Sequence, residues 1–383
     1  LLAEGLIDED FIKVFKAKVK AEIEEGLELA DAEENVAANT ARELADIFAS
    51  HDFTEQKPVS DVKKNIRMVD AISEGLRQSM ERFDNSVIMG QDIAEYGGVF
   101  KITEGFAAQF GKDRVRNTPI CESSILSAAL GLSISGYKAI VEMQFGDFVT
   151  SGFNPIINNL AKSHYRWGQN ADVVVRMPCG AGVGAGPFHS QTNEAWFAHT
   201  PGLKVVYPAF PSDAKGLLAA SIEDPNPVMF FEHKALYRSL YEEVNEDYYT
   251  LPLGKANLLR EGKDLTIVTY GMGVHWALKA LDEHSEISAD LIDLRSLVPL
   301  DKEAILSSVK KTGKVIILHE DTVYGGIGGE LSAIISEACF ESLDAPVMRC
   351  GSLDTPVPFA AALEEDFLAN KRFTEKLLQL FHY

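Results

Sequence analysis

Cysteine is scarce in this sequence, with 4 residues in 383. No two of them have the spacing of a zinc site or of a redox-active dithiol. So few thiols in a chain of this length favour a reducing compartment over the class of secreted, disulfide-stabilised proteins. The four are Cys121, Cys179, Cys339 and Cys350.

Long apolar runs and basic charge are also lacking. No apolar run is long enough to cross a membrane and no signal-type segment is visible at the start, so we expect a cytoplasmic protein without a membrane partner. The 36 lysines and arginines are outnumbered by 57 aspartates and glutamates, which gives a formal net charge of -21. Nucleic acid is therefore not expected as a partner, because phosphate binding needs clustered Lys and Arg. The acidic surface either suits a basic protein partner or only keeps a large protein dispersed.

Familiar phosphate-binding motifs are absent as well. There is no P-loop, and no Gly-Asp-Gly stretch followed by Asn at the distance that holds magnesium diphosphate; Gly146-Asp147-Phe148 is not that motif. Residues 324–329 are glycine-rich, but they lack the full spacing and the acidic residue of a dinucleotide loop. We therefore do not expect a nicotinamide cofactor there, and a helix N-terminus packed near an interface is the expected role.

Apolar patterning divides the chain into three parts. Residues 1–60 are helical and acidic, with apolar side chains at helical spacing from Phe11 to Ile23, and they end in a linker. Residues 61–250 and 251–383 each alternate apolar runs with helical stretches, which is typical of parallel strands covered on both faces. The predicted fold class is α/β, with two doubly wound, mainly parallel sheets after a helical N-terminal segment.

Ligands of doubly wound sheets bind beyond the carboxyl ends of the strands, so residues that follow predicted strands are the first candidates for a site. Glu122 stands where a predicted helix begins. A glutamate at such a position is often only a cap or a helix-dipole partner. The helix that follows is rich in small residues, which allows close backbone approach and favours a site.

Two further segments follow predicted strands. The first, residues 142–148, contains Gln144 and Phe148, whose neighbourhood either lines a ring-shaped pocket or belongs to the core. The second places four glycines at alternating positions from Gly180 onward, ahead of His189. Its spacing is not that of a phosphate loop, and it predicts a mobile or closely approached loop that delivers His189 for acid–base chemistry. His199 is a weaker candidate.

Several motifs in sequence order carry a resemblance to one family. They are Asn117-Thr-Pro-Ile-Cys-Glu, Glu142-Met-Gln-Phe, Phe188-His-Ser-Gln, Phe197-Ala-His-Thr-Pro-Gly-Leu-Lys-Val-Val, Phe230-Phe-Glu-His-Lys-Ala-Leu-Tyr-Arg and Ile292-Asp-Leu-Arg-Ser-Leu-Val-Pro-Leu-Asp. Together they resemble the beta subunit of the decarboxylase component of 2-oxo acid dehydrogenases, of the branched-chain or pyruvate type. Residues 1–60 resemble the tail of the alpha subunit, so we expect the C-terminal part of a fused alpha–beta polypeptide; an unrelated helical extension is the alternative.

This resemblance implies thiamine-diphosphate-dependent oxidative decarboxylation, with the cofactor held between two halves. The alpha half, in the same or a separate chain, would bind the diphosphate through Mg2+, and this chain would hold the aminopyrimidine. Glu122 matches the pyrimidine-binding glutamate of the family and would share a proton with the ring. Gln144, Phe148 and Ile120 would line the same pocket, and His189 would act as the acid when the acyl group passes to a lipoyl disulfide.

Some relatives bind a monovalent cation at a loop that Asp224 and Asn226 match. The resemblance therefore implies a K+ ion there, with Ser221 and carbonyl groups near Val173 and Val174 contributing. The alternative is an Asp-Pro-Asn-Pro turn without an ion.

Partners and substrate also follow from the resemblance. It implies an α2β2-like assembly with a beta–beta dimer contact, a lipoyl acyltransferase core as a further partner, and a small 2-oxo acid as substrate. The motif that begins at Phe230 favours branched-chain 2-oxo acids, whereas pyruvate and acetoin dehydrogenases share much of this region and stay open. A non-catalytic subunit that docks the acyltransferase core and a transketolase relative are the other classes, and Glu122 together with His189 argues against the former.

Overall fold

The computed structural model describes residues 1–383, which form two compact units that divide between Ala45 and Asp46. The first unit holds helices α1 (Glu9–Asp31) and α2 (Thr40–Ala45). Asp8 caps α1, because its Oδ1 accepts a hydrogen bond from the Phe11 N–H at 2.6 Å. No residue of either helix is buried. The helix lies where the apolar spacing predicts it.

The second unit, Asp46–Tyr383, contains all the strands. These are β1 (Lys63–Arg67), β2 (Ser86–Gly90), β3 (Val115–Asn117), β4 (Lys138–Glu142), β5 (Val173–Cys179), β6 (Lys204–Val206), β7 (Val228–His233), β8 (Tyr241–Asn245), β9 (Asn257–Arg260), β10 (Leu265–Thr269), β11 (Ala289–Asp293), β12 (Ser296–Val298), β13 (Val315–Thr322) and β14 (Met348–Ser352).

Helices connect most of these strands. They are α3 (Met68–Arg82), α4 (Phe106–Phe110), α5 (Glu122–Ile134), α6 (Ser163–Trp167), α7 (Glu194–Ala198), α8 (Pro211–Glu223), α9 (Leu236–Ser239), α10 (Met272–Glu283), α11 (Lys302–Thr312), α12 (Gly328–Cys339), α13 (Ala361–Phe367) and α14 (Asn370–Phe381). Two 3-10 helices (Gly146–Gly152 and Phe340–Ser342) and a π-helix (Pro155–Leu160) complete the unit. No helix of the chain combines the length and apolar character that a membrane span requires.

Two sheets organise the second unit. One has seven strands in the order β12-β6-β7-β5-β4-β2-β3, all parallel except β12, which pairs antiparallel with β6. The other has five strands in the order β14-β13-β10-β11-β9, parallel except for β9. A separate antiparallel ribbon pairs β1 with β8. The predicted α/β class with two doubly wound, mainly parallel sheets is confirmed.

The seven-stranded sheet is covered on both faces, which explains its uninterrupted apolar strands. In β4, Ile140 packs in one cluster with Ile72 of α3, whereas Val141 packs in another with Leu126 of α5. Successive strand residues point to opposite faces, so both faces need apolar side chains when helices cover both. The ends of the strands are therefore the places where polar side chains can meet a ligand. We call the side where the parallel strands begin the amino edge of the sheet, and the side where they end the carboxyl edge.

Some elements escape the sequence pattern. Strand β12 has three residues and belongs by sequence to the C-terminal part, yet it pairs with β6 of the larger sheet. The Tyr207 N–H donates to the Arg295 carbonyl oxygen at 2.8 Å and extends this pairing. Strands β1, β8 and β9 are short and partly exposed, and their residues show no continuous apolar run. Such pairings depend on which chain segment lies alongside, not on local pattern.

Candidate active site

Glu122 is the first residue of α5, after the loop that follows β3. Its side chain is half-buried, and its Oε1 accepts a hydrogen bond from Gln91 Nε2 at 3.2 Å. Gln91 directly follows β2, which is the neighbour of β3 in the sheet. The cap position of α5, Cys121, makes no side-chain capping bond. The carboxylate of Glu122 therefore reaches across to the next strand and does not close its own helix.

Gln144 lies two residues beyond β4, on the other side of β2. Its Nε2 donates to Asp92 Oδ2 at 3.3 Å, and Asp92 follows Gln91 in the chain. Parallel pairing of β2 with both β3 and β4 brings the two bonded pairs to the same carboxyl edge. Sequence reasoning found Glu122 and Gln144 but missed Gln91 and Asp92, although both stand directly after a predicted strand, which is the signal that could have found them.

Aromatic rings and His189 form a cluster beyond the end of β4. The ring centroid of His189 lies 4.7 Å from that of Phe145 and 5.5 Å from that of Phe148, in edge-to-face contacts. Phe145 and Phe148 contact each other at 5.5 Å. Phe100 adds a fourth ring, 5.7 Å from Phe145. The structure thus brings His189 and Phe148 together, and Gln144 is the residue next to Phe145.

Close backbone packing ties this cluster to the helix that begins with Glu122. Phe148 lies on the 3-10 helix Gly146–Gly152, which packs against α5. A Cβ atom on Gly152 would lie 2.2 Å from Leu126 Cδ1 and 3.3 Å from the Glu122 carbonyl oxygen. A side chain at this position would displace the buried Leu126 side chain. The close backbone approach that the small residues of α5 predict therefore occurs between Gly152 and the first turn of α5.

The glycine segment that precedes His189 follows β5. Its four alternating glycines, Gly180, Gly182, Gly184 and Gly186, all have positive φ values between 69° and 92°. Side-chain-bearing residues are strained in this region, so the alternation reflects the backbone path. At the first of them a Cβ atom would lie 2.2 Å from His233 Nε2. The segment is therefore a closely approached loop, which is one of the two alternatives that the sequence left open.

A buried carboxylate supports the far end of this loop. Asp147 Oδ1 accepts hydrogen bonds from the Gln191 side-chain Nε2 at 3.0 Å and from the Gln191 N–H at 3.3 Å. Burial raises the pKa of Asp147 above its usual value, although the bonds from Gln191 oppose this. Asp147 thus links the 3-10 helix that carries Phe148 to the chain two residues beyond His189.

A buried ion network lies under the aromatic cluster. Arg176 on β5 contacts Glu142 Oε2 at 2.7 Å and Glu232 Oε1 at 2.7 Å, and all three side chains are almost fully buried. Tyr237 donates to Glu232 Oε2 at 2.5 Å, and its ring lies 5.0 Å from that of Phe100. Burial opposes the charge of Arg176, but the two carboxylates outweigh it and raise its pKa. Burial also disfavours the charged form of Glu142, and it therefore raises the pKa of Glu142.

Ile120 lies in the loop before Glu122 and its side chain is 83% exposed. Its role as a pocket residue stays a prediction. No group of three or more His, Cys, Asp or Glu side chains is arranged to hold a metal ion.

The potassium candidates lie at the opposite, amino edge of the sheet. Asp224 Oδ2 is paired with Lys204 Nζ, and Asp224 Oδ1 accepts from Asn226 Nδ2 at 2.8 Å. The Ser221 hydroxyl donates to the Leu217 carbonyl oxygen at 2.7 Å. Both Asp224 oxygens therefore already have a partner, Oδ2 in Lys204 and Oδ1 in Asn226. Val173 begins β5 at this same edge, and K+ binding stays a prediction.

Fold and site together define a class, namely the proteins built from transketolase-type domains. The family model "Transketolase, pyrimidine binding domain" matches residues 64–239, and "Transketolase, C-terminal domain" matches residues 254–372. A solved structure described as "Split gene transketolase, inactive beta4 tetramer" superposes with a TM-score of 0.67 at 24% identity, over 83% of this chain and 98% of that chain. At this identity the likeness concerns the fold.

Closer relatives narrow the class. The 2-oxoisovalerate dehydrogenase subunit beta of Bacillus subtilis is 47% identical over 79% of this chain and 94% of the relative. The mitochondrial 2-oxoisovalerate dehydrogenase subunit beta 2 of Arabidopsis thaliana is 46% identical over 78% of this chain and 85% of the relative. The pyruvate dehydrogenase E1 component subunit beta of Bacillus subtilis is 43% identical over 80% and 95%. This chain belongs to the family of 2-oxo acid dehydrogenase E1 beta subunits.

Proposed function

We propose that this chain is the pyrimidine-holding half of a thiamine-diphosphate-dependent decarboxylase that oxidises a branched-chain 2-oxo acid and passes the acyl group to a lipoyl group of an acyltransferase. The observation that carries the proposal is the position of Glu122. It is half-buried, it has one hydrogen bond of 3.2 Å to a neutral amide, and it begins the helix against which the Phe148 helix packs.

The residues at this edge fit an aminopyrimidine ring. Glu122 offers a carboxylate to a ring nitrogen, and Phe145 and Phe148 offer aromatic surface for stacking. Thiamine diphosphate supplies the electron sink that decarboxylation needs. We assign Mg2+ and the diphosphate to the alpha half, because this sequence has no Gly-Asp-Gly motif.

The protein's own groups divide the remaining work. Glu122 holds a proton at its carboxylate, facing the ring. Gln144 and the two phenylalanines orient the ring and exclude water from it. His189, packed edge-on against the same phenylalanines, carries a proton to the departing sulfur when the acyl group moves to the lipoyl disulfide. Because aromatic side chains surround the imidazole of His189, water competes less with the substrate for its proton.

Substrate choice rests on the relatives, and their identities are close. The relatives at 47% and 46% identity are named for 2-oxoisovalerate, and the one at 43% is named for pyruvate. Pyruvate therefore stays the second candidate. We further propose an α2β2 assembly with an alpha half, either fused through residues 1–60 or separate, and docking to an acyltransferase core whose basic surface would meet the net charge of -21.

Replacing Glu122 by Gln tests the central step. In the complex with the alpha half, Glu122→Gln is expected to slow proton exchange at the thiazolium C2 carbon of added thiamine diphosphate by about 10²-fold or more, since general acid–base groups contribute that much. Exchange is followed by NMR after quenching in deuterated buffer. The matched control is Glu261→Gln, on an exposed loop, which should exchange like the unmodified protein. Unchanged exchange in Glu122→Gln would remove the proposed role.

A substrate panel separates the candidate functions. The ratio of kcat/KM values for 2-oxoisovalerate, pyruvate and 2-oxoglutarate, each measured with and without thiamine diphosphate and Mg2+, is expected to favour 2-oxoisovalerate. A preference for pyruvate would replace the branched-chain assignment. No turnover with any 2-oxo acid, combined with retained binding of the acyltransferase core, would point to a scaffolding subunit.

A further inference from the structure

The glycine segment 180–184 is bonded to carboxylates of the C-terminal domain. Glu364, on α13, accepts a hydrogen bond from the Gly182 N–H at 2.9 Å. It also accepts from the Gly184 N–H, at 3.2 Å to Oε1 and 3.1 Å to Oε2. Glu364 itself is only 6% exposed. A buried carboxylate that receives backbone donors from a distant loop fixes that loop more firmly than solvent could.

A second carboxylate holds the residue before Gly182. Glu320, on β13, accepts from the Ala181 N–H at 2.7 Å through Oε1 and contacts His233 Nε2 at 2.7 Å through Oε2. Burial opposes ionisation of Glu320, but His233 and the Ala181 N–H hold its pKa below the usual value. Lys234 Nζ completes the tether by donating to the Gly180 carbonyl oxygen at 2.8 Å.

Apolar contacts hold the same segment from the same side. Ala181 belongs to a small buried cluster with Val357 and Phe367, both from the arm of residues 353–368 that carries α13. A Cβ atom on Gly186 would lie 2.4 Å from Phe359 Cε1, so this arm also covers the end of the segment. The arm directly follows β14, a strand of the smaller sheet, and reaches the glycine segment from that side.

We propose that Glu364, with Glu320, is a positioning residue that holds segment 180–186 in the one backbone path that presents His189 to the aromatic cluster. The proposal rests on the role of His189 proposed above. The loop leaves β5 in the pyrimidine domain, whereas both carboxylates belong to the C-terminal domain, so the presentation of His189 depends on how the two domains are docked. Glycines allow the path, and the carboxylates select it among the many that glycines permit.

Glu364→Gln is the sharpest test, because it keeps the shape and reverses half of the hydrogen bonding. A glutamine removes the charge and, with its oxygen at the Oε1 position, places an NH2 group against the Gly184 N–H that now bonds Oε2. Glu365→Gln is the matched control, since Glu365 is the next residue in the chain, is exposed, and pairs only with Lys371 at 2.8 Å. Glu364→Asp is the second variant; it retains the charge on a shorter side chain and carries the comparison should the glutamine variant fail to fold.

Hydrogen exchange of the full chain, read by mass spectrometry, gives the first outcome. Glu364→Gln is expected to accelerate exchange in peptides covering residues 180–191 by about tenfold or more, with Glu364→Asp between it and the unmodified protein. Peptides from β10 and β11 should not change. Unaltered exchange at 180–191 in Glu364→Gln would overturn the proposal, whatever the enzyme assays give.

Activity in the complex with the alpha half gives the second outcome. Glu364→Gln should lower kcat for acyl transfer to lipoamide by about tenfold or more, while decarboxylation coupled to an artificial electron acceptor stays within about twofold. In a His189→Ala background, Glu364→Gln should have no further effect on lipoamide transfer. Equal loss in both assays, or a full additional loss in that background, would contradict positioning. If His189→Ala alone spares lipoamide transfer, the proposed function fails and the exchange result still decides the tether.

Discussion

The two edges of the seven-stranded sheet use their polar groups differently. At the amino edge, Asp172 is paired with Lys138 at 2.8 Å, and Asp224 is paired with Lys204. At the carboxyl edge, Glu122 has one bond of 3.2 Å from a neutral amide. This bond is at the long end of hydrogen-bond distances. The amino edge is therefore closed by its own charges, whereas the carboxyl edge keeps hydrogen-bonding capacity for a ligand.

The strong ion pairs near the carboxyl edge are buried beneath the site residues. The Arg176 network is buried beneath the aromatic cluster, and it holds Glu142 just before the site residues of the same chain segment. A buried charge network of this kind fixes geometry at the cost of desolvation. The comparison teaches that side chains at the surface of a site can keep free hydrogen-bonding capacity when a buried ion network beneath them fixes the strands that carry them.

Among the variants at the two edges, replacing Arg176 should give the largest loss of stability. Arg176→Met leaves Glu142 and Glu232 buried without a cation, and we expect the free energy of unfolding to fall by about 3–5 kcal/mol. Urea unfolding followed by circular dichroism measures this. The control Lys371→Met removes an exposed pair with Glu365 and should change stability far less. Equal losses would show that the buried network has no special weight.

The charged groups of the amino edge should make the stability of the protein depend on pH. Burial raises the pKa of Asp172 to about 6, from an ordinary value of 3.8, and nearby Asp224 adds to the rise. A raised folded-state pKa means that stability is fully present below the unfolded value and is lost as pH rises through about 6. Compared with Asp172→Asn, the unmodified protein should lose about 2 kcal/mol between pH 4 and pH 7.

The matched control for this pH effect is Asp113→Asn, on an exposed turn. Its stability should run parallel to that of the unmodified protein across the same range, as read from urea midpoints. Asp172→Asn should also leave turnover at neutral pH unchanged, because Asp172 lies at the edge opposite the candidate site. Parallel curves for Asp172→Asn would contradict the raised pKa, and a loss of turnover would contradict the division between the edges.

Much of this architecture could be predicted from local sequence. Strands such as β5 and β10 are continuous apolar runs because helices cover both faces, and this is the pattern that predicts the α/β class. Glu122 and His189 could be found because the carboxyl ends of parallel strands converge. What local sequence carries here is the strand pattern and the residues that follow it.

The remaining site residues could not be found in this way. Arg176 meets Glu232 across 56 residues of sequence, and Gly182 meets Glu364 across 182. Such pairs depend on strand order and on domain docking, which no local pattern encodes. The roles of Ile120 and of the Asp224 loop stay predictions for the same reason, since each depends on a ligand or a neighbouring half of the assembly.

Gly152 offers the finest test of how the carboxyl edge is built. In Gly152→Ala the new Cβ would lie 2.2 Å from the buried Leu126 Cδ1 and 3.3 Å from the Glu122 carbonyl oxygen, so the Leu126 side chain and the Phe148 helix must shift relative to each other. We expect a stability loss of about 1–3 kcal/mol, since overpacking typically costs that much. Turnover should fall by about tenfold or more, because a small misplacement at a site is costly.

Gly131→Ala, in α5, provides a control. A Cβ atom at Gly131 would meet nothing within 4 Å, so alanine there should raise helix stability by up to about 1 kcal/mol and leave turnover unchanged. If Gly152→Ala lowers stability but spares turnover, the contact between the two helices is structural only. The approach at Gly152 would then not be what connects Glu122 to the aromatic cluster, and the two halves of the carboxyl edge would be aligned by the sheet alone.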